Sequence, residues 1–308
     1  MTRKEFTTVV KATWHEFGRD DVGNMAAALT YYAFFSLFPL IILAVTISGL
    51  LMGEDQARIL IYDNIARILP GSSEFLSDAI ETALGNRGAN AGIFAAVGVI
   101  TLLWSALGAF DALDKAINRA WKTEKYPSFF MSKLIGFGMM GVLAALVVAS
   151  LIITAGLAAG RQIANNLIGH VPGEEVLWQI ANFATTLTII FVVFVLTYRV
   201  LPRVDVTYRD VWLGALLAAI AWALVKEGFA YYLGSSFANY DAVYGTLGAV
   251  VALLTWIYLS SLIILAGAEF TAETARVRRL RALAAVKLAE ANEQDEKKRR
   301  SSPWLPEH

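Results

Sequence analysis

Five long stretches of the chain contain no Asp, Glu, Lys or Arg, and this feature constrains the fold more than any other. They lie between Asp21 and Glu54, Arg87 and Asp111, Lys133 and Arg161, Glu175 and Arg199, and Asp241 and Glu269. A charge at the centre of a bilayer costs at least about 2.5–3.5 kcal/mol, and a helix of roughly 20 residues crosses the hydrocarbon core. Each stretch is therefore a predicted membrane-spanning helix.

A sixth candidate span, Val211 to Leu233, is interrupted only by Lys226 and Glu227. Of all residues, 57% are hydrophobic and 17% are charged, whereas soluble domains average about 25% charged. Solid apolar runs predict helices, because the strands of a membrane barrel would alternate apolar and polar residues. We predict an all-α bundle of six spans within residues 25–270, at about 26–51, 90–110, 133–159, 176–199, 211–233 and 244–268.

The basic residues alternate along the chain in a way that predicts its orientation. The N-terminal arm, the second and fourth connections and the C-terminal tail hold 21 of the 26 Lys and Arg residues. The first, third and fifth connections hold four. Because cytoplasmic segments of membrane proteins are enriched in Lys and Arg, both termini are predicted to be cytoplasmic.

Three segments lie outside the predicted spans. Residues 271–308 form a basic cytoplasmic tail, helical at first and disordered from Glu290 onward. Residues 52–90 are predicted to form an external hairpin of two short amphipathic helices, broken at Pro70-Gly71. Residues 1–24 form a cytoplasmic arm, predicted as an amphipathic helix in the inner interface because its apolar residues recur at helical spacing: Phe6, Val9, Val10, Trp14 and Phe17.

Lys226 and Glu227 are the leading candidates for function, because ionisable groups at membrane depth usually serve one. Lys226 lies about 23 Å along its helix from the inner end, in the outer half of the bilayer. Adjacent helical residues point about 100° apart, so we expect separate partners rather than a mutual pair. Tyr231 lies one turn beyond Glu227, and Asp241 and Tyr244 near the outer mouth are candidate partners. The alternatives are a structural ion pair or a Lys226 side chain that extends toward the interface.

Two further polar groups are candidates for lining a transport pathway. The first precedes Pro39, which tends to kink a helix, and consists of Asn24, Thr30, Tyr31, Tyr32 and Ser36. Its tyrosines also suit an interfacial belt. The second recurs on one face at the end of the second span, and consists of Asp111, Asp114, Lys115 and Asn118. It predicts an Asp111–Lys115 pair, and either a solvated face or an inner vestibule lined by opposite charges.

Small residues predict close helix packing. Gly156 and Gly160 have GxxxG spacing, and the sixth span carries Gly245, Gly248, Ala249 and Ala252. Such residues let two helix backbones approach each other in a membrane.

The sequence contains little that supports a hydrolytic enzyme. The chain has no Cys, and its three histidines, His15, His170 and His308, fall in segments far apart in the predicted topology. We therefore predict no metal site and no cofactor, and we find no HExxH, GxSxG or P-loop motif. The basic tail lacks interleaved aromatic residues, which favours anionic lipid over nucleic acid as its partner.

Four blocks of sequence resemble the YihY/BrkB family of bacterial inner-membrane proteins. They are Asn24 to Leu40, Ala106 to Trp121, the Leu201-Pro202 turn, and Tyr244 to Phe270. The resemblance implies six helical spans in the inner (plasma) membrane and a role at the cell envelope, with export of lipid-linked or amphiphilic material. Some members were long labelled ribonuclease BN, a label that the residues here do not support.

Together these observations predict a transporter or flippase-like exporter of an amphiphilic or anionic envelope component, with membrane lipids as partners. The mechanism would be alternating access or lateral gating past Lys226, Glu227 and the polar face of the first span. One alternative is a non-transporting scaffold in envelope assembly, and a second is a ribonuclease. The oligomeric state is open.

Overall fold

The computed structural model describes residues 3–52, 91–123, 174–234 and 247–301, and part of the stretch 134–161. All regular elements of this described part are helical, as predicted. They are α1 (Arg3–Arg19), α2 (Val22–Met52), α3 (Ala91–Ala120), α4 (Glu174–Val200), α5 (Tyr208–Gly234) and α6 (Gly248–Ser301). The described residues of 134–161 are also helical, whereas the predicted hairpin at 52–90 lies almost entirely outside the described residues.

Three of the described helices, α4, α5 and α6, are long and apolar enough to cross a membrane. They contain the predicted fourth and fifth spans, and the predicted sixth span from Gly248 onward. The predicted first and second spans fall on α2 and α3, and the third falls on the stretch 134–161. The total of six spans and their orientation stay predictions.

Helix α6 is much longer than a membrane requires. Its 54 residues correspond to about 80 Å at 1.5 Å per residue, against about 30 Å of hydrocarbon. The disorder predicted from Glu290 onward is wrong as far as Ser301, because the helix continues to that residue. The physical reason is composition, since Ala, Glu, Lys and Arg all favour helix and oppositely charged side chains support each other one turn apart.

Helix α1 packs against α6 rather than lying free of the bundle. Val9 is fully buried, and the ring centroids of Phe6 and Phe270 are 5.9 Å apart. Trp14 faces the other way and is 82% exposed. Val9 thus contacts protein, while Trp14 remains available to a membrane interface.

Glycines bring α5 and α6 close together, although not the glycines predicted for packing. A Cβ added to Gly214 would lie 3.1 Å from the carbonyl oxygen of Gly267 and would overlap the side chain of Thr271. A Cβ added to Gly267 would overlap Tyr198, whose hydroxyl donates a 2.8 Å hydrogen bond to the carbonyl of Ile264. These contacts join α4, α5 and α6.

Two of the predicted packing glycines, Gly156 and Gly160, have looser surroundings in the described part of the chain. A Cβ on Gly156 would have no described atom within 4 Å, and one on Gly160 would lie 3.9 Å from Trp178. Gly248 is buried at the first residue of α6. Gly245 lies outside the described residues.

Candidate functional site

A half-open groove lies between α4 and α5, at the predicted depth of the outer half of the membrane. Its volume is about 190 Å³. Its lining combines polar with apolar side chains, and consists of Asn182, Phe183, Thr186, Leu187, Ile190, Trp222, Ala223, Lys226 and Glu227. We call this cavity the Lys226 groove.

Lys226 and Glu227 bond to each other, which corrects the expectation of separate partners. The Lys226 Nζ lies 3.0 Å from the Glu227 Oε1. The reason is side-chain length: the Cα–Cβ bonds diverge by about 100°, but the flexible stems of Lys and Glu bend toward each other. The side chain of Glu227 is 67% exposed and that of Lys226 24%, so the ammonium sits in the groove and the carboxylate lies at its rim.

The other residues predicted near this pair are not part of the groove. Tyr231 is 82% exposed and does not line the cavity. Asp241 and Tyr244 lie outside the described residues.

The polar residues of the first span make local bonds, within their own helix or to the turn just before it. Thr30 donates to the carbonyl of Ala26 at 2.7 Å, and Ser36 donates to the carbonyl of Ala33 at 2.8 Å. The side-chain amide of Asn24 donates to Asp21 at 2.8 Å. Since none of these polar groups lines the Lys226 groove, the structure does not bring the two predicted sets together.

The two tyrosines of the first span face different surroundings. Tyr32 packs against Gly108 of α3, where an added Cβ would overlap its ring. Tyr31 is exposed and packs edge-on against Tyr32. Tyr32 is therefore a helix-packing residue, and Tyr31 fits the predicted interfacial belt.

Asp114 and Asn118 are buried, which corrects the expectation of a solvated face at these two positions. The amide of Asn118 donates to the carbonyl of Leu201 at 3.1 Å, and its Oδ1 accepts from the backbone N–H of Arg203 at 3.0 Å. The guanidinium of Arg203 forms an ion pair with Asp114. The two side chains thus fix the α4–α5 connection to the end of α3, a contact that spacing within α3 could not reveal.

The remaining pair of the second polar set is confirmed. Lys115 Nζ lies 3.4 Å from Asp111 Oδ2, one turn away. Burial raises the pKa of Asp114, and the Arg203 guanidinium acts against that rise. The end of α3 therefore presents one exposed pair and one buried network.

A larger, open cavity lies beside this network, at the predicted cytoplasmic end. Its volume is about 1150 Å³, and it is lined by Lys122, Thr123, Pro202, Arg203, Val204, Asp205 and Arg279. Three of these residues are basic and one is acidic. We call it the basic vestibule.

A cluster of buried acidic residues, which sequence reasoning missed, lies where α1 meets α6. Its members are Glu16, Asp20, Glu269 and Glu273, and we call it the acidic cluster. A hydrogen bond from Lys122 is the main cause that lowers the pKa of Glu16. One signal was available, since Glu269 directly follows a charge-free stretch. Among the described residues, no group of three or more His, Cys, Asp or Glu has an arrangement that would hold a metal ion.

Comparison with known proteins identifies the family. A family model described as "Virulence factor BrkB" matches residues 13–292. The ribonuclease-like protein YfkH of Bacillus subtilis is 30% identical over 252 residues, which is 81% of this chain and 88% of YfkH. A UPF0761 membrane protein of Alteromonas mediterranea is 30% identical over 263 residues, 82% of each chain.

A longer relative is the UPF0761 membrane protein Smlt0865 of Stenotrophomonas maltophilia. It is 32% identical over 272 residues, which cover 86% of this chain but only 60% of Smlt0865. No solved structure matches the chain. The resemblance predicted from four sequence blocks is confirmed, and the chain belongs to the BrkB family of membrane proteins.

Proposed function

We propose that the chain is a flippase-like exporter in the bacterial inner membrane, with both termini in the cytoplasm, and that its substrate is an amphiphile with an anionic headgroup. The observation that carries the proposal is the Lys226 groove, where an ammonium group lies among polar side chains within a predicted span. A charge at this depth is costly unless a partner or water offsets it.

The pairing inside the groove suits the exchange of one anion for another. Glu227 offsets Lys226 from the more exposed side of the pair, so an incoming phosphate or carboxylate could replace Glu227 without burying Lys226 unpaired. The side-chain amide of Asn182 on the facing helix lines the groove and can donate, whereas the Thr186 hydroxyl already donates to the backbone carbonyl of Asn182. The groove therefore offers a charged partner and a polar partner to the same headgroup.

The size of the cavity favours a headgroup over a whole lipid. A volume of about 190 Å³ leaves the acyl chains outside, along the exposed apolar surface of α4 and α5, where Leu177, Ile180 and Leu224 are exposed. We infer lateral gating along these two helices, with the tails kept in lipid while the headgroup crosses.

The basic vestibule supports loading from the cytoplasmic side. Lys122, Arg203 and Arg279 line it beside a single acid, Asp205, and a cleft in which one sign of charge prevails raises the local concentration of counter-charged ligands. The vestibule would collect anionic headgroups before they enter the bundle.

The experiment is flipping of fluorescent phosphatidylglycerol in vesicles reconstituted with the purified full chain, read by chemical quenching of the outer leaflet. Lys226→Met keeps the volume of the side chain and removes its charge. Loss of a charged hydrogen-bond partner costs about 1.5–3 kcal/mol, so we expect flipping about tenfold slower or more. Lys287→Met, in the exposed tail, is the matched control.

Two outcomes would contradict the proposal: no flipping by the wild-type protein, or equal flipping by Lys226→Met. Equal flipping by Lys226→Met would show that the Lys226 groove does not carry the substrate, and no flipping by the wild type would favour the second candidate, a scaffold in envelope assembly. The observation behind that candidate is the tight packing of α5 on α6 at Gly214 and Gly267.

We further infer that the chain does not share the ribonuclease activity suggested by the name of its relative YfkH. The histidines available for acid–base or metal chemistry are only His15, His170 and His308, far apart in the sequence. Purified protein should leave RNA intact with and without divalent metal ions. Cleavage that co-purifies with the protein and is lost on a single substitution would show that this inference is wrong.

A further inference from the structure

The acidic cluster brings together residues about 250 positions apart in the chain. Glu16 lies in the last turn of α1 and Asp20 directly after its end, and Glu269 and Glu273 lie one turn apart on α6. All four side chains are buried. Buried carboxylates require counter-charges, hydrogen-bond donors or protons. Which of these each carboxylate has therefore decides whether it is ionised or protonated.

The cations of the cluster are distributed unevenly. Three of the acids have a basic partner in the described structure: Lys122 lies 2.8 Å from Glu16, Arg119 lies 3.7 Å from Asp20, and Arg276 pairs with Glu273. Arg19 lies a further 3.6 Å from Glu16. The fourth acid, Glu269, has no such partner within the described part of the chain.

Glu269 is also the most deeply buried member, with 1% of its surface exposed. Neither of its carboxyl oxygens meets a hydrogen-bond donor among the described residues, and the same holds for one oxygen each of Glu16 and Asp20. The carboxyl groups of Glu269 and Asp20 are close enough to interact within the cluster. Ionised carboxylates only accept hydrogen bonds, so these two groups can bond only when one of them carries a proton.

The electrostatics point the same way. Burial, followed by the like charges of Asp20, Glu16 and Glu273, raises the pKa of Glu269 to about 8. Glu269 is the first residue beyond the predicted sixth span, and its neighbours on α1 and α3 lie outside the spans as well. The groups that act on Glu269 are the acids Asp20, Glu16 and Glu273. The cations of the cluster pair with those other acids instead, and are Arg19, Arg119, Lys122 and Arg276.

We propose that Glu269 and Asp20 form a proton-binding site that holds one proton between them at neutral pH. Binding takes a proton from water and forms an O–H bond on Glu269, which then donates to Asp20. Release breaks that O–H bond, returns the proton to water and leaves two facing carboxylates. No electron transfer accompanies either step.

The site joins α1 to α6 in a way that depends on its proton. The protonated pair forms a hydrogen bond across the contact between the two helices. Loss of the proton replaces this bond with two like charges in a buried place. The docking of the N-terminal arm is therefore sensitive to cytoplasmic pH, whether or not the protein transports lipid.

Infrared difference spectroscopy of the full chain in lipid nanodiscs tests the site directly. Exposed carboxyl groups are already ionised near neutral pH, so the carbonyl-stretch band of a protonated carboxylic acid should appear at about pH 7 and disappear by about pH 10. Glu269→Gln should abolish the band, whereas Glu290→Gln, an exposed acid on the same helix, should leave it unchanged.

A second variant keeps the test decisive if Glu269→Gln does not fold. Asp20→Asn removes the like charge that faces Glu269, so the band should persist and its midpoint should fall by about one pH unit. A wild-type protein without the band at about pH 7, a band that survives Glu269→Gln, or a midpoint that Asp20→Asn does not lower would each overturn the proposal.

Discussion

The side-chain amide of Asn118 donates a hydrogen bond to the backbone carbonyl of Leu201, 83 residues away, at 3.1 Å. Leu201 is the first residue after α4, so this bond holds the α4–α5 connection against α3. The Oδ1 of Asn118 accepts from the N–H of Arg203 at 3.0 Å. A single buried amide thus satisfies a carbonyl and an N–H that would otherwise be buried without partners.

Replacing Asn118 with Leu should therefore destabilise the protein. The change keeps the branched shape of the side chain but leaves two backbone groups unpaired, at about 1–3 kcal/mol each. We expect a lower midpoint of thermal unfolding in detergent. Lys115→Leu, at an exposed position of the same helix, is the control, and equal midpoints for the two variants would contradict the role given to Asn118.

The ion pair between Asp114 and Arg203 should behave as a buried pair. Both side chains are largely buried, so Arg203→Met leaves an uncompensated acid and should cost about 3–5 kcal/mol. The double variant Asp114→Leu/Arg203→Met should be more stable than Arg203→Met alone, since it leaves no buried charge without a partner. Additive losses in denaturant unfolding of the single and double variants would show that the two residues are not coupled.

Two glycines of α5 form a matched pair for testing helix packing. A Cβ at Gly214 would meet Thr271 and the carbonyl of Gly267, whereas one at Gly228 would have no described atom within 4 Å. Gly214→Ala should destabilise the protein by about 1–3 kcal/mol through overpacking. Gly228→Ala should be neutral or slightly stabilising, because Ala favours helix over Gly. Similar unfolding midpoints for both variants would contradict the close contact of α5 with α6.

Stability should fall as the pH rises through the range in which Glu269 ionises. The pKa of this carboxyl is raised from 4.5 to about 8, so between these values the folded chain holds a proton that the unfolded chain has released. The stabilisation is complete below about pH 4.5 and is lost as the pH rises through about 8. Unfolding midpoints measured across this range should decline in the wild type, and the decline should flatten in Glu269→Gln.

Glu16 should act in the opposite sense, at lower pH. Its pKa is lowered by the hydrogen bond from Lys122, so its contribution is present above its usual pKa and is lost as the pH falls below it. Lys122→Met should remove the loss of stability at low pH, which is due to Glu16. It should leave in place the decline of stability at higher pH, which is due to Glu269. A single variant that abolished both declines would show that the two acids titrate as one group.

The orientation of the chain is tested by reporter fusions. Fusions after His170 and after Asp241 should report the external side. Fusions after Tyr126, Asp205 and His308 should report the cytoplasm, because the Lys- and Arg-rich segments remain inside. A cytoplasmic signal at His170 would contradict the prediction of six spans.

Much of the fold follows from local properties of the sequence. The apolar stretches around α4, α5 and α6 contain few or no charges, and the cost of placing a charge in hydrocarbon accumulates residue by residue along one helix. The Asp111–Lys115 pair was predictable for the same reason, since it depends only on spacing within a turn. The family was recognisable from blocks that are contiguous in the chain.

The partners of the polar side chains depended on which helices meet, and only the tertiary structure decided that. Asp114 and Asn118 share a helix face with the exposed Lys115, yet a connection 83 residues later buries them. Asp20 and Glu269 meet only because α1 folds back onto α6. Even Lys226 and Glu227, adjacent in sequence, pair through side-chain conformation that the backbone angle does not determine. Hydrophobic burial is a property of one segment, whereas a hydrogen bond or an ion pair requires two groups to arrive at one place.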